Sequence, residues 1–248
     1  MRITGRTVLI TGSTSGIGRG LAERFHAAGN RVVIAGRRAD LLEEITAQHD
    51  GMAGVVLDVA DPASILAARD ELAVTHPDLD AVITMAGIMQ AEDLRDPAHQ
   101  ATAEAIIATN LLGTIRTVDA FLPVLLAGDE ATLMTVSSGL AFVPLPVTPT
   151  YNATKAAVHS YTQSLRAQLA GSSVEVIELV PPKVQTALMP GQAEAGDALP
   201  LEDFLDEVMG ILQARPEDEE ILVQDVHGLR FAERDNRHDE MLALLSGR

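Results

Sequence analysis

Residues Thr7 to Gly18 read TVLITGSTSGIG, and this stretch decides the fold. An apolar run of strand length passes directly into a segment in which glycine recurs at 12, 16 and 18. The pattern GIGRGLAERFHAAG, from Gly16 to Gly29, then has apolar residues at helical spacing. Glycine lets the backbone turn tightly between the two elements. A helix that starts in such a turn points unpaired amides and the positive end of its dipole at whatever lies above the sheet. Gly12, Ser13, Thr14, Ser15, Gly16, Ile17 and Gly18 therefore form a candidate cradle for a pyrophosphate, with the spacing G-x3-G-x-G. A Gly/Ser-rich turn that binds nothing has the same composition.

Outward from this stretch the same alternation repeats. RVVIA (Arg31 to Ala35), GVVLDV (Gly54 to Val59), AVIT (Ala81 to Thr84), TLMTVS (Thr132 to Ser137), VEVIEL (Val174 to Leu179) and EILVQ (Glu220 to Gln224) read as strands. Their apolar residues run on rather than alternate, as expected of strands covered on both faces. ADLLEEITAQH and PASILAARDELAVTH supply helical patterns between them. The expected fold is α/β, a Rossmann-type doubly wound parallel sheet of about seven strands with helices on both faces. No Pro/Gly/Ser-rich linker divides residues 1–248, so a single NAD(P)-binding Rossmann domain is expected. Pro97 to Ala127 reads as one long helix. Ala187 to Leu201 is rich in Gly, Ala and Pro and reads as a mobile substrate loop.

The bulk numbers restrict the partners. With 35 acidic against 18 basic residues the formal charge is -17, which disfavours nucleic acid. Any anion site must therefore be local. The absence of cysteine removes disulfide and thiolate chemistry. The N-terminus lacks a signal pattern, and no apolar stretch reads as long enough to span a bilayer, so a cytoplasmic protein is expected.

The second strand ends in AGRRADLL, where an acidic residue would grip a ribose 2′-hydroxyl. Arg37 and Arg38 stand there instead, and two guanidiniums suit a 2′-phosphate. NADP(H) is preferred over NAD(H) on this reading, although exposed arginines ahead of a helix are the plainer alternative. Asp58, at the end of the third strand, can accept from an adenine amino group or face solvent.

SSGLAFVPLPVTPTYNATK, from Ser137 to Lys155, holds one of the two tyrosines of the chain. Pro149 and Thr150 suit a helix start, so Tyr151 and Lys155 fall one turn apart on one face. A cation there is expected to lower the phenol pKa and make it an acid or base near neutrality. Ser138, at the end of the fifth strand, can bond the same reacting oxygen. Asn110, in the long helix, can anchor a relay water. Tyr-x-x-x-Lys alone is weak, and a lysine lying along an aromatic ring is the usual structural reading.

With the glycine turn, the serine and the tyrosine–lysine pair in hand, the chain resembles the short-chain dehydrogenase/reductase family of the single-domain type over nearly its whole length. The resemblance implies Tyr151 as acid/base and Lys155 on the nicotinamide ribose, lowering the phenol pKa. It implies Ser138 steadying the oxygen and Asn110 supporting the relay. It also implies cofactor contacts from Asp58 and Val59 on the adenine, from Ala86 and Gly87, and from Pro181, Val184 and Thr186 beside the nicotinamide. Where the family has Asn-Asn-Ala-Gly this chain has Thr84-Met85-Ala86-Gly87, and methionine lacks the amide's hydrogen-bonding groups. Where the family has Pro-Gly this chain has Pro181-Pro182, a stiffer turn with one donor fewer. The Pro-Pro turn, VSSGLAFVP and LRFAER resemble a narrower branch called DltE-like.

The resulting expectation is an oxidoreductase that interconverts a carbonyl and an alcohol. Its partner is a small, largely apolar carbonyl substrate facing GLAFVPLPV, and reduction is the expected direction. A catalytically silent NADP-binding regulator on the same fold is the alternative. A homodimer or homotetramer is expected from the family. PEDEE, Pro216 to Glu220, reads as a solvated turn. The seven histidines show no metal-ligand spacing, so no metal is expected.

Overall fold

β1 (Thr7–Thr11) is buried along its whole length and lies at the centre of the sheet, between β2 (Arg31–Gly36) and β4 (Ala81–Thr84). The computed structural model describes residues 1–247. Among them, β3 (Ala53–Val56), β5 (Ala131–Val136), β6 (Val174–Leu179) and β7 (Glu220–Ile221) complete a seven-stranded sheet. Its order is β3-β2-β1-β4-β5-β6-β7, and every pairing is parallel.

Alternate residues of each strand feed two cores. Val8 and Ile10 of β1 and Ile83 of β4 pack with Leu21 and Phe25 of α1 (Gly16–Ala27) and Leu42 of α2 (Ala39–Gln48). Phe204 and Val208 of α7 (Leu201–Ala214) join the same core. Leu9 and Val82 point the other way, to Ile65 and Leu72 of α3 (Pro62–Thr75) and Phe121 of α5 (Gly113–Ala127). The unbroken apolar runs in the sequence follow from this two-sided burial. Each of these fully buried side chains contributes about 1.5–3 kcal/mol over leaving it in water.

Strand order reverses between β1 and β4, and a parallel sheet opens a crevice at the carboxyl ends of its strands there. The candidate residues sit around that crevice. α6 (Pro149–Gln168) begins with Thr148 at the N-cap and Pro149 in the first turn, where the missing proline N–H costs nothing.

Several sequence expectations shift. β3 stops at Val56 because Asp58 turns the chain: its Oδ1 accepts from Ala60 N at 2.9 Å, and Asp61 then caps Ala63 N at 2.9 Å to start α3. β5 runs one residue earlier than expected. β7 is only two residues long, since a 3-10 turn begins at Gln224. The long helix is not uniform: α4 (His99–Ile106) passes through a π-helical stretch, Ile107–Leu112, into α5. His99–Ala127 is also long and apolar enough, by length and composition, to cross a membrane, contrary to the sequence reading. Val118, Phe121 and Leu125 pack beneath the sheet, which accounts for much of that apolar content. Finally, the segment 187–201 makes specific contacts with the chain that precedes it. Val184 and Leu199 form a parallel bridge, Gln185 N donates to Leu199 O at 2.9 Å, and Gln192 Nε2 donates to Val184 O at 2.8 Å.

Candidate active site

A cleft of 720 Å³ lies over the carboxyl ends of the strands. Its floor is the glycine turn. Gly12 has φ +68°, and a Cβ there would stand 2.6 Å from Ala86 Cα. A Cβ on Gly18 would stand 2.5 Å from Gly12 O. Only glycine lets the turn fold onto itself and onto the segment after β4 this closely. The N-cap of α1, Ser15, makes no side-chain capping bond, so the first-turn amides stay available to a ligand. Thr14, Ser15, Gly16 and Ile17 line the cleft. Ser13 does not: it is fully buried, its hydroxyl donating to Ile10 O at 2.6 Å and accepting from Ala35 N at 2.9 Å. The expectation that Ser13 meets the cofactor is corrected to a structural tie between β1 and β2.

Arg37 and Arg38 line the same cleft beside Asp58 and Val59. Arg38 Nη2 donates to Thr14 Oγ1 at 2.8 Å, which holds the guanidinium against the glycine turn. These features form a concave surface with free amides and two cations, and they fit an adenine dinucleotide.

At the other end of the cleft stand Ser138, Tyr151 and Lys155, with Pro181, Pro182, Val184 and Thr186 opposite. Lys155 Nζ donates to Val136 O at 2.9 Å and lies 5.6 Å from the centre of the Tyr151 ring. Ser138 Oγ accepts from Leu140 N at 3.2 Å, which fixes the hydroxyl at the head of a 3-10 turn, Gly139–Ala141. Asn110 falls in the π-helical stretch and is buried. Its Oδ1 accepts from Ile88 N at 2.8 Å and its Nδ2 donates to Ile88 O at 2.9 Å. It lies behind Gly87, where a Cβ would come within 3.4 Å of Asn110 Oδ1 and 3.8 Å of Lys155 Nζ. The π-helical stretch thus sets an amide behind the lysine.

The electrostatics depart from the sequence expectation. Burial pushes the Tyr151 phenol up to about 12, and the neighbouring Ser138 hydroxyl only partly opposes it. Burial also pulls Lys155 down to about 8, against the opposing charge of Glu178. Lys155 therefore does not bring the phenol below its ordinary value in the ligand-free protein, because desolvation disfavours both the phenolate and the ammonium.

The family model for short chain dehydrogenase matches residues 6–196. The chain belongs to that family. Among curated proteins it is 39% identical over 189 residues to the uncharacterized oxidoreductase DltE of Bacillus subtilis (strain 168), covering 76% of this chain and 75% of that one. Among solved structures, the closed form of serine dehydrogenase complexed with NADP+ superposes with a TM-score of 0.79 at 26% identity, over 87% of this chain and 92% of that one. A 3-ketoacyl-(acyl-carrier-protein) reductase from Brucella melitensis, complexed with NADH, gives 0.77 at 26% identity, over 87% and 93%. Membership makes this short-chain dehydrogenase an NAD(P)-dependent oxidoreductase.

One departure from the family pattern, Met85, is taken up by packing. Met85 fills space against Gly18, its Cγ 3.1 Å from where a Cβ there would lie. Pro181 O accepts from Gly139 N at 2.9 Å, so the Pro-Pro turn braces the turn that carries Ser138. Met85 and Met89 both line the cleft. One group escaped the sequence reading. His159, Glu178 and Glu220 come from three different elements, yet their potential ligand atoms lie within 4.8 Å of one another. No linear spacing could have disclosed it.

Proposed function

We propose that this short-chain dehydrogenase is an NADP(H)-preferring cytoplasmic enzyme that reduces a modest, largely apolar carbonyl compound to an alcohol. One observation carries the reading: Ser138, Tyr151 and Lys155 open on the same cleft as the glycine turn. Bound nicotinamide supplies or accepts the hydride. The chain's own part is the proton and the geometry. Tyr151, neutral at physiological pH, donates its phenolic proton to the oxygen of the reduced carbonyl. Ser138 bonds that oxygen and aligns it. Lys155 holds the ribose and places positive charge beneath the phenol as the proton leaves. Asn110, through its two bonds to Ile88, keeps the π-helical stretch open for a relay to Lys155.

The cofactor preference is supported by Arg37 and Arg38 in the cleft at the end of β2, where an acidic residue would otherwise grip the ribose 2′-hydroxyl. The substrate class is supported by the apolar wall around Tyr151, where Met89 and Ile106 are buried and Ile88, Leu140, Leu145 and Met189 pack against them. Self-association is supported by Ile107, Leu112 and Leu126, exposed along the long helix. Sedimentation at several concentrations reads the number of subunits.

Calorimetric titration with NADPH and with NADH tests the preference, and equal affinities would remove the role given to the two arginines. Turnover on a panel running from aliphatic and aromatic aldehydes and ketones to charged sugars tests the substrate class. Activity confined to the sugars would overturn it.

A further inference from the structure

Tyr151 stands on the first turn of α6, as the third residue of the helix. A helix is least well tied there, because its leading amides have no partner within it. Thr148, the N-cap residue, makes no side-chain capping bond, and its hydroxyl donates to Asn152 Oδ1 at 3.2 Å. Pro149 has no N–H to satisfy. Thr150 therefore carries the first amide of α6 that needs an acceptor from outside the helix.

The acceptor comes from 58 residues away. Glu92 belongs to the segment between β4 and α4, and its side chain is fully buried. Its Oε2 accepts from Thr150 N at 3.0 Å and its Oε1 from Thr150 Oγ1 at 2.8 Å, so both donors of one residue close on one carboxylate. His99, at the head of α4, places Nδ1 3.3 Å from the same Oε1. Glu92 N donates to Val147 O at 2.9 Å, which fixes this segment against the approach to α6. A carboxylate here also meets the positive end of the helix dipole, which offsets part of the cost of burying it. The same segment is anchored earlier by the two bonds between Ile88 and Asn110. Between the two anchors, Met89 packs with Tyr151 and Ile106 in one buried cluster. The wall of the cleft and the start of α6 are thus tied to each other on both sides of Met89.

We propose that Glu92 caps α6 from outside the helix and thereby sets the place of the Tyr151 phenol in the cleft. Glu92 is a positioning residue: it acts through Thr150 and does not itself line the cleft. Its catalytic consequence rests on Tyr151 as the proton donor, the reading given above, but the placement of the ring can be measured without turnover.

The chain contains two tyrosines, Tyr151 and Tyr161. Tyrosine labelled with 13C at the ζ-carbon gives one signal for each in the ligand-free protein, assigned with Tyr161→Phe. In Glu92→Ala the Tyr151 signal should shift or broaden, and the Tyr161 signal, further along α6, should stay in place. With NADPH and an aromatic aldehyde as the probe pair, kcat and kcat/KM should fall together in that variant. The loss should reach up to about 100-fold, the effect of misplacing a reacting group by about 1 Å. Glu92→Gln keeps an acceptor for the Thr150 amide and should hold most of the parent kcat. Thr150→Ser keeps both donors and should do the same. A purely structural cap would lower the melting temperature and leave the kcat of the folded protein unchanged, and that result would overturn the proposal. So would an unmoved Tyr151 signal in folded Glu92→Ala. Should Glu92→Ala fail to fold, Thr150→Val decides, since it removes the hydroxyl donor and keeps the amide. The Tyr151 signal and kcat should then both change, and no change in either would be equally fatal. If the ring moves but turnover proves independent of Tyr151, the cap stands and the catalytic reading falls.

Discussion

Lys155 lies one turn beyond Tyr151 on α6, yet its ammonium donates to the Val136 carbonyl and not to the phenol, staying 5.6 Å from the ring centre. The pair is thus a neutral acid beside a separately anchored cation. Replacing Tyr151 with Phe removes the acid and leaves the anchor. Reductive kcat should fall by at least about 100-fold, the lower end of what a positioned acid contributes. NADPH affinity by calorimetry should stay within about threefold of the parent, because Lys155 and the glycine turn are untouched. Retained turnover would move the proton donor elsewhere.

The direction of the two pKa displacements fixes the pH behaviour. Tyr151, raised to about 12, remains a donor throughout the physiological range. Lys155, lowered to about 8, is charged below that value and loses its proton as pH rises through it. Reduction should therefore be flat from about pH 6 to 7 and decline with a midpoint near 8. Oxidation of an alcohol needs the phenol to give up its proton first and should increase over the same interval. Stopped-flow rates in both directions provide the measurement. A reductive limb that turns only above about pH 10 would mean that Lys155 keeps an ordinary ammonium.

Arg38 reaches Thr14 Oγ1 at 2.8 Å and so stands pre-placed at the mouth of the glycine turn. Arg38→Ala should weaken NADPH binding by about 10- to 100-fold, the worth of a hydrogen bond to a charged group. NADH binding should change little, since it carries no 2′-phosphate. An equal loss for both cofactors would assign Arg38 to holding the turn.

Much of this was legible because it is local in the chain. The Thr7–Gly18 strand and turn, the Tyr151–Lys155 spacing and the doubly buried strands each declare themselves within a dozen residues. What stayed hidden depends on the third dimension. Asn110 reads as a relay candidate on one continuous helix, and the π-helical stretch around it, Ile107–Leu112, has no signal in the sequence. The Tyr151 pKa was expected to fall because the sequence displays the nearby cation and conceals the burial, which is the larger effect. Ser13 belongs to the glycine motif by position, but its side chain turns inward to join β1 to β2. Glu178, His159 and Glu220 come from three separate elements and meet only when β6, α6 and β7 have packed.

Gly12 is the point at which fold and site depend on one atom. Its φ of +68° suits glycine, and a methyl group there would lie 2.6 Å from Ala86 Cα and 2.9 Å from Ala86 N, both main-chain atoms that cannot swing aside. Gly12→Ala must therefore push the Thr84–Gly87 segment away from the turn or unwind the turn itself. Strained backbone plus overpacking amounts to about 2–4 kcal/mol, enough to lower the melting temperature by several degrees in a chain of this size. Cofactor affinity should fall with it, since Ala86 and Gly18 close the same cradle. Gly29, with φ +87° and open space around the position of a Cβ, is the matched control. Alanine there carries the conformational strain without the collision, so Gly29→Ala should lose stability and keep its NADPH affinity. If both variants bound NADPH as the parent does, close approach at Gly12 would not be what shapes the dinucleotide cleft.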